Sequence, residues 1–271
     1  MRNSLIMLMV MLCGTVSAAL HHMVIARKNV SSAVDYSQDA NCVFAARMNG
    51  DATGDVVDSG STNDLAVFAG HPNTSTTVPS GYSGNSRQFL RTATDEGADA
   101  DAGSTEFDIT GDLSMVAWVH LQELPSVVGA DGVILSKYDD TGQKRSWRML
   151  TDTGTDTFKF TCSASPGSGN TALKNTTAFA TGTWYHVAMV HDNTGNQMKL
   201  YVDGVNTTNT THSGGLSSET PEFTIGRQNA SDANGIKMLI DEVGIFNDIL
   251  TPTEVGNIMT NGLFGDNGSG D

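Results

Sequence analysis

Basic residues are scarce in this sequence, which has 15 lysines and arginines against 30 aspartates and glutamates among 271 residues. The formal net charge of -15 at neutral pH produces a negative potential that repels phosphate backbones and anionic lipid surfaces. We therefore expect no nucleic-acid partner. Most of the carboxylates are expected to be solvated surface groups, although their oxygens are also the ligands that calcium prefers.

The sequence has only three cysteines. Cys13 lies in the N-terminal apolar run, so Cys42 and Cys162 are the pair that an exported chain could join. A bridge that closes a loop of this length would stabilise the fold by about 4–5 kcal/mol in the chain-entropy view. Two separate buried thiols are the alternative, because both cysteines lie in strand-like runs.

No apolar run is long enough to cross a bilayer, since a spanning helix needs about 20 apolar residues. The N-terminal run is interrupted at Gly14 and Thr15. A charged start at Arg2 and small residues ending at Ala18 make residues 1–18 resemble an export signal. A retained apolar arm that packs on a neighbouring subunit is the alternative. We therefore predict no stable membrane insertion, and a secreted or extracellular location or else a virion or cell-surface assembly.

Familiar catalytic motifs are missing as well. The sequence has no Gly-x-Ser-x-Gly elbow, no phosphate-binding loop and no Cys-x-x-Cys pair. His186 and His191 lie five residues apart in one strand-like run, which places them on opposite faces and prevents them from sharing a metal ion without other ligands. The sequence therefore predicts a protein that is not an enzyme.

Short runs of strand-forming residues separated by turn residues fill most of the remaining sequence. They include residues 42–48, 65–69, 87–90, 113–120, 132–136, 146–150, 157–162 and 184–191. The last of these carries apolar residues on both faces, which favours a central position in a sheet. This pattern, with almost no helix, predicts an all-β fold of two packed antiparallel sheets.

The C-terminal part of the sequence gives the most specific pattern. Asp203-Gly204 lies between β-branched residues and predicts a tight hairpin, because both central residues must take positive φ. Strand-like runs follow at 223–227 and 240–246. A short helix over about residues 252–261 comes last, with Thr251 as its cap, a proline at its first position and a glutamate that can complete a capping box.

This order of elements resembles the laminin-G-like, concanavalin-A-like lectin and glucanase superfamily. Residues 58–63 look like the family's early Asp-Ser-x-Gly-x-Asn loop, and residues 115–119 look like its tryptophan-bearing core strand. The resemblance covers about residues 42–265. It implies a two-sheet antiparallel jelly-roll sandwich of the concanavalin-A type with a short C-terminal helix.

We accordingly divide the chain into four segments. Residues 1–18 are the signal peptide or retained arm, and residues 19–40 are a polar arm. Residues 41–265 form the sandwich, and residues 266–271 are a flexible tail. The arm also offers a route to self-assembly, because an arm that orders on a neighbour can build a lattice.

The resemblance further implies a structural calcium ion that ties the last strand to the early loop. The matching positions are Asp58, Asn63 and Asp241. Calcium takes six to eight oxygen ligands and accepts backbone carbonyls, so two carboxylates from distant segments can suffice. The alternative is that Asp58 forms an Asx turn and Asp241 hydrogen-bonds a neighbouring loop.

Glucanases of this family carry Glu-x-Asp-x-Glu, or the same motif with one more spacer, on a strand. Here Glu106-Phe-Asp108 is followed by Thr110 and Gly111 where the second glutamate should stand. We expect Glu106 and Asp108 to form the polar face of an edge strand rather than a hydrolytic pair.

Aromatic side chains that could stack on a sugar ring are few, since the chain has three tryptophans. Trp118 and Trp184 lie in the most apolar strands, so we predict that they are core residues. Trp147 is flanked by Arg145, Ser146 and Arg148, and Tyr138 by two aspartates. We therefore predict Trp147 and Tyr138 as ligand-binding residues at the surface.

These observations predict a non-catalytic exported domain that recognises a surface glycan or glycoprotein. The alternative is a structural subunit of a virion, fibre or surface layer. A glycoside hydrolase or lyase of the same fold is the second alternative, and it would need carboxylates clustered in a groove.

Overall fold

The computed structural model describes residues 33–49, 66–67, 73–90, 97–99, 105–140, 142–165, 169–228 and 235–267. The predictions made for the signal segment, most of the polar arm, and Asp58 and Asn63 lie outside these residues. From Val34 onward the described chain belongs to one compact unit. None of its described helices is long and apolar enough to cross a membrane.

The described residues form fifteen strands, two α-helices and a 3-10 helix. The strands are β1 (Cys42–Ala46), β2 (Ala66–Val67), β3 (Asn73–Ser75), β4 (Ser86–Phe89), β5 (Ala98–Asp99), β6 (Leu113–Leu121), β7 (Val133–Asp139), β8 (Lys144–Asp152), β9 (Thr157–Cys162), β10 (Thr171–Lys174), β11 (Trp184–Asp192), β12 (Gln197–Val202), β13 (Val205–Thr211), β14 (Thr224–Ile225) and β15 (Met238–Phe246). The helices are α1 (Pro125–Val128), α2 (Pro252–Asn261) and the 3-10 helix Tyr36–Gln38.

The strands pair antiparallel in two sheets. The eight-stranded sheet has the order β13-β12-β11-β6-β15-β4-β3, and β1 pairs with β15 off this path. The seven-stranded sheet has the order β10-β9-β8-β7-β14-β5-β2. The predicted two-sheet antiparallel sandwich is therefore confirmed, and β11 takes the central position expected from its two apolar faces.

The main core lies between the sheets, where strands contribute every second side chain. Val187 and Met189 of β11 point inward from one sheet, and Met149 of β8 from the other. Three rings fill the middle: Phe107 stacks on Phe223 with centroids 4.3 Å apart, and Phe44 meets Phe223 edge-on at 5.9 Å.

A second apolar cluster covers the outer face of the eight-stranded sheet. Val255 and Ile258 of α2 pack there against Ala188 and Val190 of β11. The helix begins with the predicted capping box, in which Thr251 and Glu254 each accept a hydrogen bond from the other's backbone N–H. The helix thus covers part of one outer face of the sandwich.

The hairpin and the chain closure follow the sequence pattern. Asp203 and Gly204 have φ of 50° and 74°, and the Asp203 carboxylate accepts the backbone N–H of His186 at 2.9 Å. The last strand returns to the first, with Phe246 opposite Cys42 in the β1–β15 pair.

The ends of the predicted sandwich differ from the structure. Tyr36, assigned to the polar arm, is buried in the outer cluster, and its N–H donates to the carbonyl of Leu263 at 2.7 Å. Asp266, assigned to the flexible tail, forms two hydrogen bonds with Arg47 at 2.7 and 2.8 Å. The packed domain therefore extends beyond residues 41–265 at both ends.

Cys42 and Cys162 form no bridge with each other, so the alternative of two separate thiols holds for this pair. Cys42 belongs to β1 in the eight-stranded sheet and Cys162 to β9 in the seven-stranded sheet. Burial raises the pKa of the Cys162 thiol well above its ordinary value, which keeps it unreactive.

Candidate functional site

A polar groove of about 260 Å³ runs along the outer face of the seven-stranded sheet. Strand alternation places Arg148 there, because its neighbours Trp147 and Met149 point into the core. The groove is lined mainly by polar side chains, with one charged group before β7 and another after it. Its polar lining consists of Asp131, Asp140, Arg148, Thr153 and Gln228.

Two acidic residues of the groove lie at the two ends of β7. Asp131 precedes β7 and Asp140 follows it, and a strand of 7 residues extends roughly 20 Å. The volume is slightly below the ~300 Å³ at which sites for drug-sized ligands begin.

Asp131 is fixed at one end of the groove. Its carboxylate accepts the backbone N–H of Thr153 at 2.8 Å and lies 3.1 Å from the ammonium of Lys159. Burial raises the pKa of Asp131, but the hydrogen bonds from Thr153 and Lys159 outweigh it and leave the pKa below its ordinary value. Asp131 is therefore an ionised acceptor at neutral pH.

Arg148 is fixed near the middle of the strand pair. Its Nε donates to the Thr161 hydroxyl at 3.0 Å, and its Nη1 donates to the side-chain oxygen of Gln228. The guanidinium carbon lies 4.0 Å from the ring centroid of Tyr138. The side chain is 13% exposed, so the groove floor here is an oriented cation rather than an aromatic ring.

The groove geometry favours binding over catalysis. Asp131 and Asp140 flank β7 at its two ends, and a strand of 7 residues spans roughly 20 Å along the backbone. Glycosidases bring two carboxylates to within about 5–9.5 Å of each other, whereas Asp131 and Asp140 are each paired with a separate cation. The arrangement offers fixed donors and acceptors to a ligand without placing an acid beside a nucleophile.

The prediction that Trp147 and Tyr138 are surface ligand-binding residues is wrong. Trp147 is 0% exposed and belongs to the main core. Tyr138 is 1% exposed, lies beneath Arg148, and its hydroxyl accepts a hydrogen bond from Asn170. Neither ring can stack on a sugar.

Trp118 and Trp184, predicted to be core residues, are instead part-exposed on the outer face of the eight-stranded sheet. Trp118 packs edge-on against His186 at 5.3 Å, and Trp184 lies 5.3 Å from His120 between ring centroids.

Asp241 is buried at an irregularity of β15, where the pairing with β6 shifts between Asp241 and Gly244. Its carboxylate accepts the N–H of Glu242 at 2.9 Å. Glu242, which the sequence analysis missed, is also 2% exposed and has φ of 48°, and its carboxylate accepts the N–H of Leu263 at 2.7 Å. Two buried carboxylates and a positive φ mark this as a specialised position.

Glu106 and Asp108 lie in a turn and the loop after it rather than on the predicted edge strand. The Asp108 carboxylate pairs with the buried ammonium of Lys137 at 2.6 Å. Asp108 is thereby committed to an ion pair, and the strand geometry that the glucanase motif needs is missing at these residues.

Comparison with solved structures finds the same fold in the binding domains of bacterial toxins. The binding domain of Paraclostridial Mosquitocidal Protein 1 has a TM-score of 0.63 at 11% identity, over 81% of this chain and 52% of that chain. The receptor-binding domain of botulinum neurotoxin C/D mosaic serotype has a TM-score of 0.58 at 12% identity, over 81% of this chain and 51% of that one. The binding domain of botulinum neurotoxin DC in complex with SialylT gives 0.58 at 10% identity, over 82% and 51%.

This chain therefore spans about half the length of those domains. Among curated proteins no sequence relative matches it. Residues 92–256, more than half of the chain and including every groove residue, match the family described as the concanavalin A-like lectin/glucanases superfamily. The chain belongs to that superfamily, as its two-sheet sandwich and closing helix predict.

Proposed function

We propose that this protein is an exported, non-catalytic domain that binds glycans or glycoproteins through the polar groove. The observation that carries the proposal is the mixture of fixed groups along β7. Arg148 offers donors, and Asp131 and Asp140 offer acceptors. Sugar hydroxyls both donate and accept hydrogen bonds, so a row of such groups can hold a glycan chain without an aromatic plate.

The similar toxin domains support a binding role, since they are described as receptor-binding domains and one is in complex with SialylT. The ligands of those domains are bound by chains about twice as long as the part that matches this protein. The proposal for this chain therefore depends on its own groove.

Filling the groove is expected to abolish glycan binding. Ala130 lines the groove, so Ala130→Trp places a large ring in it without removing a hydrogen bond of the wall. Val127 is 80% exposed on α1 nearby, and Val127→Trp adds the same ring outside the groove. On a glycan array, wild type and Val127→Trp should bind the same glycans, and Ala130→Trp should lose at least about 1.4 kcal/mol, a tenfold loss in affinity.

The proposal fails if the wild-type protein binds no glycan on the array. It also fails if Ala130→Trp binds as tightly as Val127→Trp, because the ligand would then lie elsewhere. Thermal melting of both variants checks that each is folded.

We also propose that a structural calcium ion binds at Asp241, as the family resemblance implies. Support comes from the buried carboxylates of Asp241 and Glu242 at the irregularity of β15, since calcium prefers carboxylate oxygens. The other two predicted ligands, Asp58 and Asn63, lie outside the described residues. In the described part of the chain no group of three His, Cys, Asp or Glu side chains is placed to hold a metal.

Calcium is expected to raise the melting temperature, because a ligand that binds only the folded state stabilises it by about 2.7 kcal/mol at 100 times its Kd. Melting with calcium and with a chelator, for wild type and Asp241→Asn, measures this. The shift should be present in the wild type and absent in the variant. Equal melting temperatures of the wild type with calcium and with chelator would contradict the calcium proposal.

A further inference from the structure

Basic residues are concentrated around the groove of an otherwise acidic chain. Between residues 144 and 174 the sequence has five basic residues and two acidic ones. The five are Lys144, Arg145, Arg148, Lys159 and Lys174, out of 15 in the whole chain. All of them belong to β8, β9 or β10 of the seven-stranded sheet. Together with Asp131, Asp139, Asp140, Asp152 and Asp156 they leave this face near neutral, so an anionic ligand would be repelled less here than on the rest of the acidic chain.

Each carboxylate that lines the groove is paired with a cation other than Arg148. Asp140 is held chiefly by Arg145 at 2.9 Å, and Asp131 by Lys159 at 3.1 Å. Asp152 lies 2.7 Å from Lys174 and 3.1 Å from Lys159. The two acidic groups that line the groove therefore already have cationic partners at hydrogen-bonding distance.

Arg148 is the one cation among the described residues that line the groove, and its ion pair is long. Its Nη1 lies 3.9 Å from Asp140, beyond hydrogen-bonding distance, and that carboxylate already accepts two hydrogen-bond-length contacts from Arg145. Hydrogen bonds to the neutral groups of Thr161 and Gln228 hold Nε and one Nη1 proton. Its Nη2 has no hydrogen-bond partner among the described residues. The remaining Nη N–H groups of this oriented guanidinium are therefore available to a ligand in the groove.

Such a guanidinium suits a carboxylate better than a hydroxyl. The planar guanidinium offers parallel N–H donors that match the two oxygens of a carboxylate, and charge-assisted bonds are roughly twice as strong as neutral ones. Stacking on Tyr138 and low exposure mean that little side-chain entropy is lost when a ligand binds.

We propose that Arg148 makes the groove selective for acidic glycans, by binding a sugar carboxylate. This inference rests on the proposed glycan-binding function and adds the class of glycan. The two remain separable, because a groove that binds sugars through hydroxyls alone would not distinguish an acidic sugar from its neutral counterpart.

The test compares a uronic-acid oligosaccharide with the same oligosaccharide whose carboxyl groups are reduced to alcohols. Isothermal titration of wild-type protein should give at least tenfold tighter binding of the acidic form. Arg148→Gln should remove this preference, and Arg148→Lys should remove most of it, because an ammonium keeps the charge and loses the planar pair of donors. Lys199→Gln is the matched control, since it removes one positive charge from β12 of the other sheet and should keep the preference.

Equal binding of the two oligosaccharides by the wild type, with binding lost in Ala130→Trp, overturns the acidic selectivity and leaves the glycan-binding function standing. Failure of both oligosaccharides and of the glycan array overturns both proposals. A preference that survives in a folded Arg148→Lys and Arg148→Gln assigns the selectivity to another residue and also overturns the inference. A sulfated oligosaccharide binding tighter than the carboxylated one overturns the choice of carboxylate.

Discussion

Replacing Trp147 with alanine is expected to lower the free energy of unfolding by about 3–5 kcal/mol, the usual cost of removing a large buried aromatic side chain. Trp147 is 0% exposed, and its ring lies 5.8 Å from Phe223, which in turn stacks on Phe107. Alanine would leave a cavity at the centre of this ring cluster, and the close-packed strands around it can collapse only partly.

Urea unfolding of Trp147→Ala, Trp147→Phe and Trp184→Ala measures the effect. Trp147→Phe should cost less than Trp147→Ala because most of the volume remains. Trp184→Ala is the matched control, since the same side chain is removed from a part-exposed position on the outer face. A loss below about 1 kcal/mol for Trp147→Ala would contradict the central packing of this ring.

The misplacement of Trp147 by sequence reasoning has a simple physical cause. Its polar neighbours Ser146 and Arg148 suggest a polar environment, but in a strand the residues before and after a side chain point to the opposite face. Those neighbours therefore indicated an inward Trp147. The alternation of Trp147 with Met149 carried the correct signal.

The reverse error for Trp118 and Trp184 arose from the helix. Strands apolar on both faces were correctly placed in the middle of a sheet, but nothing local shows which of the two faces meets the other sheet. In the structure α2 covers part of the outer face, so apolar residues were needed on both sides. Only the tertiary arrangement decides that the strand face with Trp118 and Trp184 lies outside.

Features set by local chemistry were predictable. The Asp203-Gly204 turn needs positive φ and the helix start needs a cap, and both were found where the residues indicated. The groove was not predictable, because it combines segments far apart in the sequence. Arg148 meets Gln228 80 residues later, and the Asp131–Thr153 pair forms only once β7 and β8 are in register.

Acidification is expected to destabilise the protein through His186. The ring is 1% exposed, neither ring nitrogen has a hydrogen-bond partner in the described part of the chain, and burial lowers its pKa from 6.5 to about 3. Between these two values the unfolded chain binds a proton that the folded protein does not. Stability is therefore complete above about pH 6.5 and is lost as the pH falls toward about 3.

At pH 5 the loss from this one group should be about 2 kcal/mol relative to neutral pH, since each pKa unit corresponds to about 1.4 kcal/mol. Burial also lowers the pKa of His120 and His191, so the wild type should lose more than this single contribution. The variant His186→Phe isolates the effect, because it keeps a ring against Trp118 and removes the titrating group.

Urea unfolding at pH 7 and pH 5 for wild type, His186→Phe and Trp118→Phe gives the comparison. The pH-dependent loss should shrink by about 2 kcal/mol in His186→Phe. It should stay at the wild-type value in Trp118→Phe, which alters the same ring contact and leaves the imidazole in place. An unchanged loss in His186→Phe would mean that acid sensitivity resides in other groups. We expect a smaller loss in His186→Phe because a ring that is buried without a hydrogen-bond partner has no group to stabilise its charged form. The folded state therefore excludes the proton more strongly at His186 than at the hydrogen-bonded His191.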